Sequence, residues 1–179
     1  SDYETLFIFS PDNNILSNDS KLEEYLYNGG HIVILPKSND TTLDNIIYNI
    51  NDESIYDHYN NLHFKQLSND QFQEFNLSSI NDDILKNILS DKRINRNPKV
   101  FKYIQLPYYP NFTKLQLING NSIWNRHKVH NGYIDIFGFS INLNWTNFPI
   151  KGSFLPFINY LAYSNVNNKV FQEIYLDLQ

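Results

Sequence analysis

Residues 5–36 constrain the fold more than any other stretch. "TLFIFS" (residues 5–10) is a short apolar and aromatic run closed by the turn-forming "PDNN", the pattern of a buried parallel strand. "SNDSKLEEYLYNGG" (residues 17–30) then offers Ser17 or Asp19 as N-cap, Leu22, Tyr25 and Leu26 at helical spacing, and Gly29-Gly30 as a stop. "HIVILP" (residues 31–36) reads as a second buried strand. A strand, a helix and a strand joined this closely form a β-α-β unit, which requires parallel pairing and a right-handed crossover.

The rest of the chain reads less evenly. Residues 41–50 predict a second helix with Thr41 or Thr42 near its cap. The polar region 51–97 holds a short strand at "LHFKQL" (62–67) and a helix over 81–91, with Asp82-Asp83 at its start. After Pro98 the pattern turns to strands at 99–106, 113–118, 122–129 and 133–141. Asn131-Gly132 between the last two predicts a type I′ hairpin, because that turn needs positive φ at both central positions. Residues 154–164 predict a closing helix and 169–178 a terminal strand. The expected fold is therefore α/β and three-layered: a mostly parallel sheet flanked by helices, with an antiparallel hairpin near the C-terminal half. One domain spans residues 1–164, and 165–179 form a terminal strand or the start of a following segment. The expected core includes Leu6, Ile8, Ile32, Ile34, Ile136 and Phe157.

Composition excludes several classes of function. With 179 residues, 41% hydrophobic and 16% aromatic, the chain has the material for one well-buried core rather than for disorder. The net charge is −5 and the 14 basic residues form no stripe, so nucleic acid is not expected as a partner. Cysteine is absent, which removes thiolate nucleophiles, thiolate metal sites and disulfides together. No apolar run reaches the roughly 18–20 residues that span a bilayer. The abrupt start in a strand suggests a domain excised from a longer protein.

The order strand, helix, "YLYNGGHIVILP" (25–36), variable middle, hairpin and "NWTNFPIKGSFLPFINYLAYS" (144–164) resembles the soluble domain of BatA-like, aerotolerance-regulator-type bacterial membrane proteins. Trp145, Asn147, Pro149, Phe154 and Pro156 carry the C-terminal part of the likeness, which covers most of residues 2–164. That domain is similar to class I glutamine amidotransferases. The resemblance implies an amidotransferase-like or flavodoxin-like fold placed extracytoplasmically, in the periplasm, as part of an inner-membrane protein. Membrane contact would come only through segments outside this chain, and the partners would be proteins of an envelope complex. It also implies an inactive domain. The amidotransferase nucleophile is a cysteine in the turn after a strand, and the matching turn here, "LPKSND", has none. No enzyme activity, cofactor or metal is expected.

Other chemistry is thinly represented. Ser38 lacks the G-x-S-x-G turn that exposes a serine nucleophile. His127 and His130, three apart across a hairpin end, are poor metal partners. The same holds for His58 and His63, in a polar region with Asp57. "FSPDNN" lacks the D-x-S-x-S of a von Willebrand A metal site, and Gly29-Gly30 ends a helix where a phosphate loop would open one. Ligands of open α/β sheets bind beyond the carboxyl ends of the strands. Any surviving site is therefore expected on the rim formed by Ser10, Asp12, Asn13, Lys37, Ser38 and Asn39. Trp145 reads either as an apolar plug under its loop or as a surface anchor for a partner. A non-catalytic binding or assembly domain is the leading reading. The alternatives are a domain that binds a glycan or small polar ligand, and a hydrolase with non-cysteine chemistry.

Overall fold

The structure is a computed structural model that describes residues 5–9, 19–37, 59, 62–67, 71–90 and 97–163. The opening unit forms as its sequence predicts: β1 (Thr5–Phe9), α1 (Asp19–Tyr27) and β2 (His31–Leu35), with β1 and β2 parallel and paired residue for residue. A Schellman motif ends α1. Gly29 takes φ +85°, its N–H donates to Leu26 O (3.1 Å), and the Gly30 N–H donates to Tyr25 O (2.9 Å). Only a residue without Cβ enters that conformation cheaply, so Gly29 sets the point where the helix turns back into the sheet.

The chain forms β3 (His63–Gln66), β4 (Gln73–Glu74), a 3₁₀ turn (Leu77–Ser79), α2 (Asp83–Leu89), β5 (Lys99–Val100), β6 (Lys102–Gln105) and β7 (Thr113–Gln116). There follow β8 (Ser122–Val129), β9 (Gly132–Phe137), a second 3₁₀ turn (Phe148–Ile150) and α3 (Phe154–Tyr163). Five strands make the main sheet in the order β1-β2-β9-β8-β7. Its β1-β2-β9 part is parallel and its β9-β8-β7 part antiparallel, while β3-β6 and β4-β5 form two small antiparallel ribbons. The expected three-layer, mostly parallel, flavodoxin-like or amidotransferase-like fold is thus corrected to a mixed sheet. The physical reason lies in residues 99–137, where short turns join successive strands. A parallel neighbour would need a crossover of a dozen residues or more.

Three finer expectations also change. The predicted strand 99–106 breaks at Phe101, because the N–H groups of Phe101 and Lys102 both turn to Trp145 O (2.7 and 3.3 Å). Val129 pairs with Gly132, so the hairpin's central residues are His130 and Asn131, and His130 is the one non-glycine residue with positive φ (53°) among the described residues. The type I′ turn on Asn131-Gly132 is therefore not formed. Gly132 is needed instead for close approach, since a Cβ there would run into the carbonyl oxygen of Gly30. Leu6 is 38% exposed, because β1 lies at the end of the sheet; Ile8, Ile32, Ile34, Ile136 and Phe157 are buried as expected.

Both faces of the sheet are covered, which is why all five residues of β2 are buried. Helix α1 lies against the face of Gly132, Ile134 and Ile136. Helix α3 lies on the other face, where Phe157 meets Trp124 and Phe137 edge-on at 5.5 and 6.0 Å between ring centroids. Phe148 joins this cluster at 5.1 Å from Phe157. Each large aromatic removed from water in this way contributes on the order of 2–3 kcal/mol. The predicted helix over 41–50, the Ser17 cap and the terminal strand 169–178 lie outside the described residues.

Candidate functional site

The parallel pairing of β1 with β2 sets Phe9 beside Leu35, so the two strands end side by side at one edge of the sheet. Lys37 stands exposed there. Ser10, Asp12, Asn13, Ser38 and Asn39 lie outside the described residues, as do His58 and Asp57. Trp145 is on no surface: it is fully buried, its ring 5.5 Å from Phe64, and its backbone carbonyl accepts the bonds that break the 99–106 strand. Next to it Thr146 Oγ1 donates to Lys99 O (2.8 Å) and Asn147 Oδ1 accepts from Lys99 N (2.7 Å). The segment after β9 is therefore a structural joint, with Trp145 as its plug.

The densest polar chemistry lies inside the molecule, under α3. Strand alternation puts Thr5, His31, Trp124, Arg126 and Asp135 on one face of the sheet, and pairing places Arg126 opposite Asp135. Both Asp135 oxygens are doubly engaged. Oδ1 accepts from Trp124 Nε1 (2.8 Å) and Arg126 Nε (2.8 Å), and Oδ2 accepts from Arg126 Nη2 (2.7 Å) and His31 Nε2 (2.7 Å). His31 Nδ1 lies 3.3 Å from Thr5 Oγ1, whose hydrogen goes to Ala162 O in α3 (2.7 Å). His31 and Asp135 are fully buried and the Arg126 side chain is 14% exposed. Burial alone would push the Asp135 carboxyl up, but the Arg126 guanidinium and the His31 hydrogen bond outweigh it and hold the carboxyl well below the usual range. Burial likewise disfavours the Arg126 cation, and Asp135 reverses that, raising its pKa above the ordinary value.

A second network occupies the opposite face. Asn125, fully buried, uses all its capacity: Nδ2 donates to Tyr59 Oη (2.9 Å) and Pro107 O (2.9 Å), and Oδ1 accepts from Ser122 Oγ (2.8 Å) and Thr113 Oγ1 (3.0 Å). Tyr59 Oη, which accepts from Asn125, also shares a hydrogen bond with His127 Nε2 (2.7 Å). Burial raises the Tyr59 pKa, so this hydroxyl keeps its proton. Elsewhere Tyr160 Oη in α3 donates to Asp82 Oδ2 (2.8 Å), while Asp82 Oδ1 caps α2 by accepting from Leu85 N (2.8 Å).

The structure therefore separates the histidines that sequence placed close together. His127 is an interior partner of Tyr59, and His130 stacks on Tyr27 at the surface, with ring centroids 3.7 Å apart. No group of three or more metal-ligating side chains occurs among the described residues. Arg126 and Asp135 were not candidates on sequence grounds. The register that sets these opposite charges face to face, Arg126 on β8 and Asp135 on β9, differs from the one an Asn131-Gly132 turn would give, which places Arg126 opposite Phe137.

No family model matches the chain, and no curated protein matches it in sequence. Two solved structures are similar in fold. A cytoplasmic protein of Salmonella typhimurium, STM3548, is 16% identical with a TM-score of 0.61, over 90% of this chain and 71% of that one. A second cytoplasmic protein, STM1381 of Salmonella typhimurium LT2, is 13% identical with a TM-score of 0.54, over 91% and 69%. Both are described as cytoplasmic, and no helix among the described residues is long and apolar enough to cross a membrane. The periplasmic, inner-membrane placement implied by the BatA-like resemblance is corrected on that finding.

Proposed function

We propose that this chain is a non-catalytic binding or assembly domain whose partner is another protein. One observation carries the reading: the described histidine, aspartate and tyrosine side chains with the strongest chemistry, His31, Asp135, His127 and Tyr59, are buried and bonded to one another and to the core. The surface in turn presents apolar side chains, with Ile150 72% and Leu155 71% exposed on the turn and helix start above the Trp145 joint. The test is recovery of partners on the tagged chain, compared with Ile150→Asp/Leu155→Asp and with Lys37→Ala/Asn39→Ala. Loss of recovery in one pair, with the fold intact, supports the reading and locates the surface. Release of ammonia from glutamine by the purified chain overturns it.

A hydrolytic reading has one observation in its favour, the line of hydroxyl, imidazole and carboxylate from Thr5 through His31 to Asp135. Against it, the Thr5 hydrogen is directed at Ala162 O, and the imidazole that would have to take it is fully buried. Ester hydrolysis abolished by Thr5→Val would establish that reading in place of the first.

A further inference from the structure

The two ends of the main sheet are finished differently. At the β7 end the chain covers its own edge: Asn76 N donates to Gln116 O (2.8 Å), Gln116 N to Ser79 Oγ (3.3 Å) and Ile118 N to Glu74 O (3.0 Å). That strand also carries Lys114 and two irregularities of register. Covering, charge and bulging are the devices by which sheet edges avoid pairing with other chains. At the β1 end none of them is found among the described residues. Thr5–Phe9 is regular, pairs with β2 over its whole length, holds no charge, proline or bulge, and leaves Leu6 38% and Phe9 48% exposed.

We propose that the outer edge of β1 is a self-association site, where β1 of a second copy pairs antiparallel to it across a two-fold axis at Phe7. Three features favour a second copy over an unlike strand. A two-fold interface brings a patch against itself, so the partner must match its own charge, and "TLFIF" is uncharged in a chain of net charge −5. The register centred on Phe7 is also complementary in side chains. It sets exposed Leu6 beside Ile8 of the other copy, exposed Phe9 beside Thr5, and the two Phe7 rings against each other, a favourable cross-strand pair. Finally, strands that already pair in register on one side present the opposite side as a straight ladder, and the two sheets would join into one of ten strands. Five residues give a contact about 17 Å long, which fits a weak, concentration-dependent dimer at the small end of specific interfaces.

The site does not rest on the partner reading above: a monomer that recovers partners would remove this proposal and leave that one standing. Sedimentation velocity of the full chain from low micromolar to submillimolar concentration should show a monomer-dimer equilibrium. Leu6→Lys/Phe9→Lys, which puts like charges on both sides of the axis, should raise the dissociation constant at least about tenfold with an unchanged far-ultraviolet spectrum. Because the chain has no cysteine, Phe7→Cys adds a single thiol. Cross-strand Cβ atoms about 4.5–5.5 Å apart should allow oxidation to a covalent dimer. A chain that stays monomeric throughout overturns the proposal. So does a dimer that the lysine substitutions leave intact.

Discussion

The two buried polar networks sit back to back on one sheet and are built on different principles. Under α3, Asp135 is a charge held by the Arg126 charge and by hydrogen bonds; on the opposite face, Asn125 is a neutral amide with each hydrogen and lone pair matched. A neutral network costs only the groups orphaned when it is cut. A charged one leaves an uncompensated ion in the interior when one member is removed. The Asp135 network also spans more of the fold, tying β1, β2, β8 and β9 together and reaching α3 through the bond from Thr5 to Ala162 O.

Asp135→Ala tests the difference most severely, since it leaves Arg126 buried without its partner; a loss of about 3–5 kcal/mol is expected in urea unfolding. Arg126→Met/Asp135→Leu, which removes the pair together, should be far milder than Asp135→Ala. Asn125→Ala, which orphans neutral groups only, should cost about 1–3 kcal/mol. Smaller again is Asp82→Ala, which removes the α2 cap and the Tyr160 bond, at about 1 kcal/mol. Leu155→Asp, on the exposed start of α3, should leave stability within about 0.5 kcal/mol. An Asn125→Ala loss exceeding that of Asp135→Ala would reverse the ranking of the two networks.

Elements with a local cause were legible in the sequence. The β-α-β opening, the Gly29 stop, the Asp82 cap, β8 at residues 122–129 and the helix after Ser153 all follow from periodicity and capping chemistry. What failed depended on partners distant in sequence. Periodicity reports that a strand is buried on both faces and says nothing of its neighbour's direction, so the antiparallel part was legible only as the hairpin of β8 and β9, and its extension to β7 was hidden behind a family likeness to a parallel fold. Gly132 looked like a turn residue because Asn-Gly is a turn signal; its real constraint, the backbone of Gly30, is a hundred residues away in sequence. Of the site residues expected on the rim, only Lys37 lies among the described residues, and Trp145 proved to be a plug. The Asp135 network was invisible because the burial that makes Arg126 and Asp135 consequential comes from α3 and β2.

The central claim, that Asp135 works as a structural anion, is tested most directly by the pH dependence of stability in the wild type and in Asp135→Asn. The Asp135 pKa is depressed in the folded chain, so its contribution is fully present above the ordinary carboxylate value of about 3.9. As pH falls below that value the unfolded chain takes up the proton first, and the contribution is lost on the way down to the folded pKa. The stability gap between wild type and variant should therefore be widest near neutrality and close steadily below about pH 4. A gap that stays constant to pH 3 would mean that Asp135 is not held as a buried carboxylate, and would contradict the account.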